Sequence, residues 1–324
     1  MIRKHALAIA VAILGAVASA QAQSYPTKPI TMIVPFAAGG ATDVLARFLG
    51  ERMRAILGQP IIVENVTGAG GSIGVTRAVR APADGYTIQI GTSTTNMLLG
   101  GLYPLQFDLI DDLAPILLIA SEPLMIVGKK GLPAADLKAQ IAWLKANPDK
   151  ASIGIPAVGG TGHLAGLAFL KETGTTAQFV PYRGNGPALQ DLVAGQIDMQ
   201  IEPASNFYVQ AKAGAIKPFA IASRTRIDVA NEIPTTDEAG LPGFHASLWY
   251  GLWAPKGTSR DIIDKLNAAM LLALAHGETR KRFADLGLAA PGPTQQTPEG
   301  LRAFQKQEAN KWWPIIKAAN IRGQ

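Results

Sequence analysis

The chain of 324 residues contains no cysteine. That absence removes disulfide staples, thiolate metal sites and any lipid-modified N-terminal cysteine. Histidine is almost as scarce: beyond the first 22 residues only His163, His245 and His276 remain, at no ligand spacing. No metal is expected. Aromatic residues make up 6% and the formal net charge is only +6, with no basic run longer than Arg280-Lys281-Arg282. So thin a positive surface excludes nucleic acid as a partner. The hydrolase signatures H-E-x-x-H and S-x-x-K are missing, and no catalytic residue is assigned.

What is present begins with a targeting segment. Arg3-Lys4-His5 precedes an apolar stretch over 6–18, followed by Ala18-Ser19-Ala20 or Ala20-Gln21-Ala22 as a small-residue cleavage site. At about 13 residues the stretch falls short of the roughly 20 that span a bilayer, so residues 1–22 read as a cleavable signal peptide rather than an anchor. The rest is expected to be exported and soluble. Its composition, 48% hydrophobic and 17% charged, excludes disorder, and its length suits about two domains.

Short β-rich runs alternate with helical periodicity, the pattern of parallel α/β layers. The reading places strands over 30–35, 61–64, 87–91, 152–156, 178–182, 198–202 and 247–254, with a long apolar run over 115–127. Helices are expected over 44–57, 73–80, 134–146, from 163, and over 187–194, 261–275 and 298–319. If the chain leaves a first lobe near residue 122 and returns near 250, the lobes are 25–122 plus 250–324 and 123–249, sharing a hinge of two crossings around a ligand cleft.

Three strand-to-helix junctions, 36–43, 92–96 and 159–163, are rich in Gly, Ser and Thr. Glycines let the backbone approach a ligand, and the free N–H groups of the following helix attract an anion. Each lobe thus offers one anion-receptive helix start, although glycines also serve any tight turn. Gly160 to Ala165 fits G-x-G-x-x-A, but no acid lies about 20 residues on, so no dinucleotide or other cofactor is expected. Asp111-Asp112 reads as a solvated turn, Trp312-Trp313 as packing, and His163 equally as a ligand donor or a helix-start residue.

Several motifs then occur in one order: Tyr25-Pro-Thr-Lys-Pro-Ile30, Val34-Pro-Phe-Ala-Ala-Gly-Gly-Ala-Thr-Asp43, Val63-Glu-Asn65, Gly68-Ala-Gly-Gly-Ser-Ile-Gly74, Ala83-Asp-Gly-Tyr86, His163-Leu-Ala-Gly166, Val180-Pro-Tyr182, Glu238-Ala-Gly-Leu-Pro-Gly243 and Gly251-Leu-Trp-Ala-Pro-Lys-Gly-Thr258. Together they resemble the periplasmic solute-binding proteins of the tripartite tricarboxylate transporter group, the Bug receptors, over essentially the whole mature chain. The resemblance implies a type II periplasmic binding protein, two doubly wound α/β lobes that close on a small organic acid. The protein would act as a periplasmic monomer without cofactor and deliver the acid to transmembrane transporter subunits. An exported carboxylate-acting enzyme and a ligand sensor for a membrane signalling partner are the alternatives.

Carried over by position, the resemblance puts the ligand against Phe36, Ala38, Gly39, Gly40, Thr42 and Asp43 in one lobe and Gly159, Gly160, Thr161 and His163 in the other. Ser93, Thr94 and Asn96 add to the first wall, and Arg183 and Glu202 to the second. Arg183 suits a second carboxylate, Glu202 an amine or hydroxyl donor, unless the two pair with each other. The sequence departs from the family pattern at Asn96, Arg183 and Glu202-Pro203, which leaves ligand identity open.

Overall fold

The computed structural model describes residues 25–322. The expected signal peptide, 1–22, lies outside the described residues. The chain first builds β1 (Ile30–Val34), α1 (Ala41–Leu57), β2 (Ile61–Asn65), α2 (Ser72–Val79), β3 (Thr87–Thr92), the short α3 (Leu99–Leu102) and the 17-residue β4 (Leu113–Lys129). It continues with α4 (Leu137–Ala146), β5 (Ser152–Ile155), α5 (Thr161–Thr173), β6 (Gln178–Pro181), α6 (Asn185–Ala194), β7 (Met199–Pro203), α7 (Tyr208–Lys212) and β8 (Ile216–Ile221). It ends with β9 (Ser247–Pro255), α8 (Arg260–Ala275), α9 (Gly277–Asp285) and α10 (Pro298–Ala318).

The strands form two half-sheets of one design. In the first, β1 pairs in parallel with β2 and β3, and β9 and β4 follow antiparallel. In the second, β5 pairs in parallel with β6 and β7, and β4 and β8 follow antiparallel. The orders β2-β1-β3-β9-β4 and β6-β5-β7-β4-β8 match strand for strand, making β1–α1 and β5–α5 equivalent units. Strand β4 serves both halves, pairing with β9 as far as Pro123 and with β7 from Leu124 onward. Beside it, the chain returns through Ala246, whose carbonyl accepts from Leu124 N–H.

Local sequence explains the elements. Ile30, Met32, Ile33 and Val34 are all at most 1% exposed, as a parallel strand covered on both faces requires. Helix α1 turns Leu45, Leu49 and Met53 inward at a spacing of four, and Gly58 ends it at φ 69°, donating its N–H to the Arg54 carbonyl. The final helix α10 buries Leu301, Trp312 and Ile316 and packs on β4, α3 and α5, so it touches both halves. The tryptophan pair is packing, as expected: Trp313 Nε1–H donates to the Met97 carbonyl at 2.9 Å.

Two larger elements escape the sequence pattern. Strand β8 contains Pro218, tolerable because β8 is an edge strand paired with β4 alone. Helix α9 has a strongly polar sequence, GETRKRFAD, and buries only Thr279 and Phe283. Among the described residues no helix is long and apolar enough to cross a membrane.

Candidate functional site

The junctions β1–α1 and β5–α5 adopt the same turn. Gly39 and Gly159 take φ of +81° and +76°, a region that disfavours any side chain. Gly40 and Gly160 follow in extended conformation, at φ −73°, ψ 165° and φ −70°, ψ 169°, and each donates its N–H to the carbonyl three residues back, Ala37 or Ala157. In both, the residue four after the positive-φ glycine accepts that glycine's N–H. Asp43 Oδ2 does so for Gly39 at 2.8 Å, and His163 Nδ1 for Gly159 at 3.0 Å.

These two side chains are therefore braces that look back at their own loops. Asp43 is 2% exposed and also accepts from Arg47 Nε at 3.1 Å and Asn65 Nδ2 at 2.9 Å. The Arg47 side chain, the Gly39 N–H and Asn65 hold its carboxyl at about 2, well below the ordinary value of 3.8. His163 is buried with its ring edge-on to Phe179, centroids 4.7 Å apart, and burial lowers its pKa, keeping the imidazole neutral. The helix-start reading of His163 fits this setting.

The third junction crosses between the halves. Ser93 Oγ and Thr94 Oγ1 lie 3.4 and 3.3 Å from Thr161 Oγ1 at the start of α5. Asn96 is placed differently from the expectation. Fully buried, its amide exchanges hydrogen bonds with Gln89 at 3.1 and 3.2 Å, so the side chain belongs to the first half's core and not to the cleft wall. Thr42 is also buried, while Phe36 and Ala38 sit on the accessible part of the loop.

Where the first of these loops faces the crossing strands there is a cavity of about 190 Å3, lined by Gly39, Ala41, Val44 and Leu45 of the first unit, Glu122 of β4, Ser205 after β7, Tyr250 of β9, and Arg282, Leu286 and Leu288. Its floor is acidic. Glu122 is 4% exposed and accepts from Ser205 N–H at 2.9 Å, and burial raises its pKa. Burial, with Glu122 close by, pushes Glu202 up to about 8, so Glu202 is largely protonated at neutral pH. Two neighbouring negative charges are thereby avoided. Glu202 lies against the start of α5, where a Cβ on Gly162 would collide with its carboxyl group. Arg183 is exposed, and the two do not pair. Sequence reasoning missed Glu122, Tyr250, Ser205 and Arg282, which no motif singles out.

Among the other recesses, a narrow one is lined by Ser93 and Thr161 where the halves meet. One of about 590 Å3 is lined by Thr31, Ile73, Arg77 and Arg80 among others and includes no residue of these loops. The sequence Gly70-Gly71-Ser72-Ile73-Gly74 has the G-x-S-x-G form of a nucleophile elbow. Ser72, however, follows a 3₁₀ turn, seven residues beyond the end of β2, not the sharp strand-to-helix turn that elbow chemistry needs.

The family model of the tripartite tricarboxylate transporter family receptor, TctC, matches residues 45–321. The chain belongs to this receptor family. The Bordetella pertussis protein BugT is 35% identical over 313 residues, 96% of this chain and 95% of its own length. Among solved structures, MatC from Rhodopseudomonas palustris with bound malate is 34% identical with a TM-score of 0.76, covering 90% of this chain and all of its own. Rpa4515 from R. palustris with adipate is 30% identical with a TM-score of 0.79, covering 92% and 99%. The fold is that of these periplasmic binding proteins, and the TctC family and its Bug members are solute-binding receptors rather than enzymes.

Proposed function

We propose that this TctC receptor binds a small organic acid in the cavity between its half-sheets and delivers it to the membrane components of a tripartite tricarboxylate-type transporter. The observation that carries the reading is the duplicated glycine turn, which opens α1 and α5 with braced backbones and unspent N–H groups, a setting that favours an anion. The malate and adipate held by two relatives support a carboxylate as that anion. The ligand contacts are the backbone of 36–41 and of 159–161, the hydroxyls of Ser93, Thr94 and Thr161, and the protonated Glu202 as a donor. Arg183 stands at the rim. Residues 25–122 with 250–324 form one lobe and 123–249 the other, and the signal peptide sends the chain to the periplasm as a soluble monomer.

A thermal-shift panel of mono-, di- and tricarboxylates, amines and sugars tests the reading. An acid at 100 times its dissociation constant adds about 2.7 kcal/mol of stability. Stabilisation confined to acids is the expected result; a response only to amines or sugars would overturn it. A bound acid recovered chemically unchanged after incubation, by mass, separates the receptor from a carboxylate-acting enzyme.

A further inference from the structure

The cavity's cation is not the one the sequence suggests. Of the residues that line it, Arg282 on α9 is the sole cation, opposite the start of α1. Its guanidinium lies 4.9 Å from the centroid of the Phe48 ring, while Arg52 approaches the same ring at 5.5 Å. The two arginines differ in what they face. Arg52 is neutralised by Glu278, whereas Arg282 pairs with no carboxylate among the described residues. Stacking on Phe48 restricts where the guanidinium points without consuming its donors.

We propose that Arg282 is a specificity-determining residue that selects ligands with a second acidic group. This rests on the carboxylate reading above and deepens it. With a first carboxylate on the N–H groups at Gly39 to Ala41, a second anionic end that stays within this cavity, rather than crossing to the turn at 159–161, has two directions available. Toward the floor it meets Glu122, an acid already served by the Ser205 N–H. Toward α9 it meets a planar, unpaired guanidinium that matches a carboxylate bidentately. Electrostatics therefore sends the far end of a diacid to Arg282, while a monoacid of the same length leaves that cation unused.

Calorimetry on the wild type, Arg282→Gln and Arg282→Lys decides this, with malate against 2-hydroxybutyrate and adipate against hexanoate as probe pairs. The readout is the ratio of diacid to monoacid affinity. In the wild type it is expected to favour the diacid by about tenfold or more, to fall toward one in Arg282→Gln, and to be intermediate in Arg282→Lys, which keeps the charge but not the fork. Because a merely structural change weakens both members of a pair alike, equal losses would overturn the inference, as would an unchanged ratio. A wild type that binds monoacids as tightly as diacids defeats this proposal and leaves the carboxylate receptor standing. A wild type that binds none of the four acids defeats this proposal, and the carboxylate reading falls with it only if the wider panel of acids also fails to stabilise the protein.

Discussion

The turns before α1 and α5 are superimposable in their glycine dihedrals, yet one is braced by a carboxylate and the other by a neutral imidazole. The difference shows what the turn needs, an acceptor one helical turn downstream, and what it leaves free, the acceptor's charge. On the first side the charge is offset by Arg47, whose Nη2 lies 3.0 Å from Asp43 Oδ1. On the second, no charge is introduced, and burial against Phe179 keeps it so. An anion bound between the two would meet a net-neutral frame on both sides.

The largest effect should come from removing the charged brace. Asp43→Ala leaves the Gly39 N–H, Asn65 and Arg47 without their common acceptor, and a loss of about 2–3 kcal/mol is expected in chemical denaturation, with ligand binding abolished in calorimetry. His163→Ala, which removes one neutral acceptor, should cost about 1 kcal/mol and weaken binding without abolishing it. Equal losses in the two variants would contradict the distinction.

Next in size is the backbone itself. Gly39→Val and Gly159→Val both force a β-branched residue to positive φ, at about 1–3 kcal/mol each. Gly159 should be the more sensitive, because a side chain there also meets Leu102, whereas at Gly39 the space is open. Melting curves of the two variants check the order.

Acid should separate the braces. The unfolded histidine titrates near 6.5 and His163 in the fold lies lower, so its contribution is complete above about pH 6.5 and is lost as pH falls toward the folded value. Asp43 works in a lower window: its contribution is present above 3.8 and is lost as pH falls from there to about 2. Amide exchange followed as the pH is lowered from 7 is expected to show the Gly159 N–H beginning to lose protection at a higher pH than the Gly39 N–H, and His163→Asn should remove the difference.

The smallest effect concerns the contact between the halves. Thr161→Val deletes two long hydroxyl contacts and should change unliganded stability by no more than about 0.5 kcal/mol. By favouring the open arrangement, it should enlarge the difference in small-angle scattering between free and ligand-bound protein. Identical profiles with and without ligand would count against lobe closure altogether.

Much of this was legible in the residues. The glycine pairs after buried strands marked both turns, because a positive φ and an exposed helix start demand glycine whatever the surrounding fold. What the residues could not show was direction. Asp43, Asn96 and His163 stand in ligand-like motifs, and only the course of the backbone turns Asp43 and His163 onto their own loops and Asn96 into the core. Arg183 and Arg282 illustrate the same limit. The first follows a strand in a recognisable motif, while the second sits in a polar helix with two buried residues, where no periodicity separates the one arginine that faces the cavity from its neighbours. Strand β8 hid behind Pro218 because edge position, which excuses a proline, depends on pairing far away in sequence.

The exchange of strands between the half-sheets has a further meaning. Pro123 and Ser247 are direct partners in the β4–β9 pairing, the last rung before the chain departs and the first after it returns. In topological terms residues 124–246 are thus a cassette spliced into the tip of a hairpin, and a two-residue turn joining Pro123 to Ser247 would reseal that hairpin with the second glycine turn excised whole.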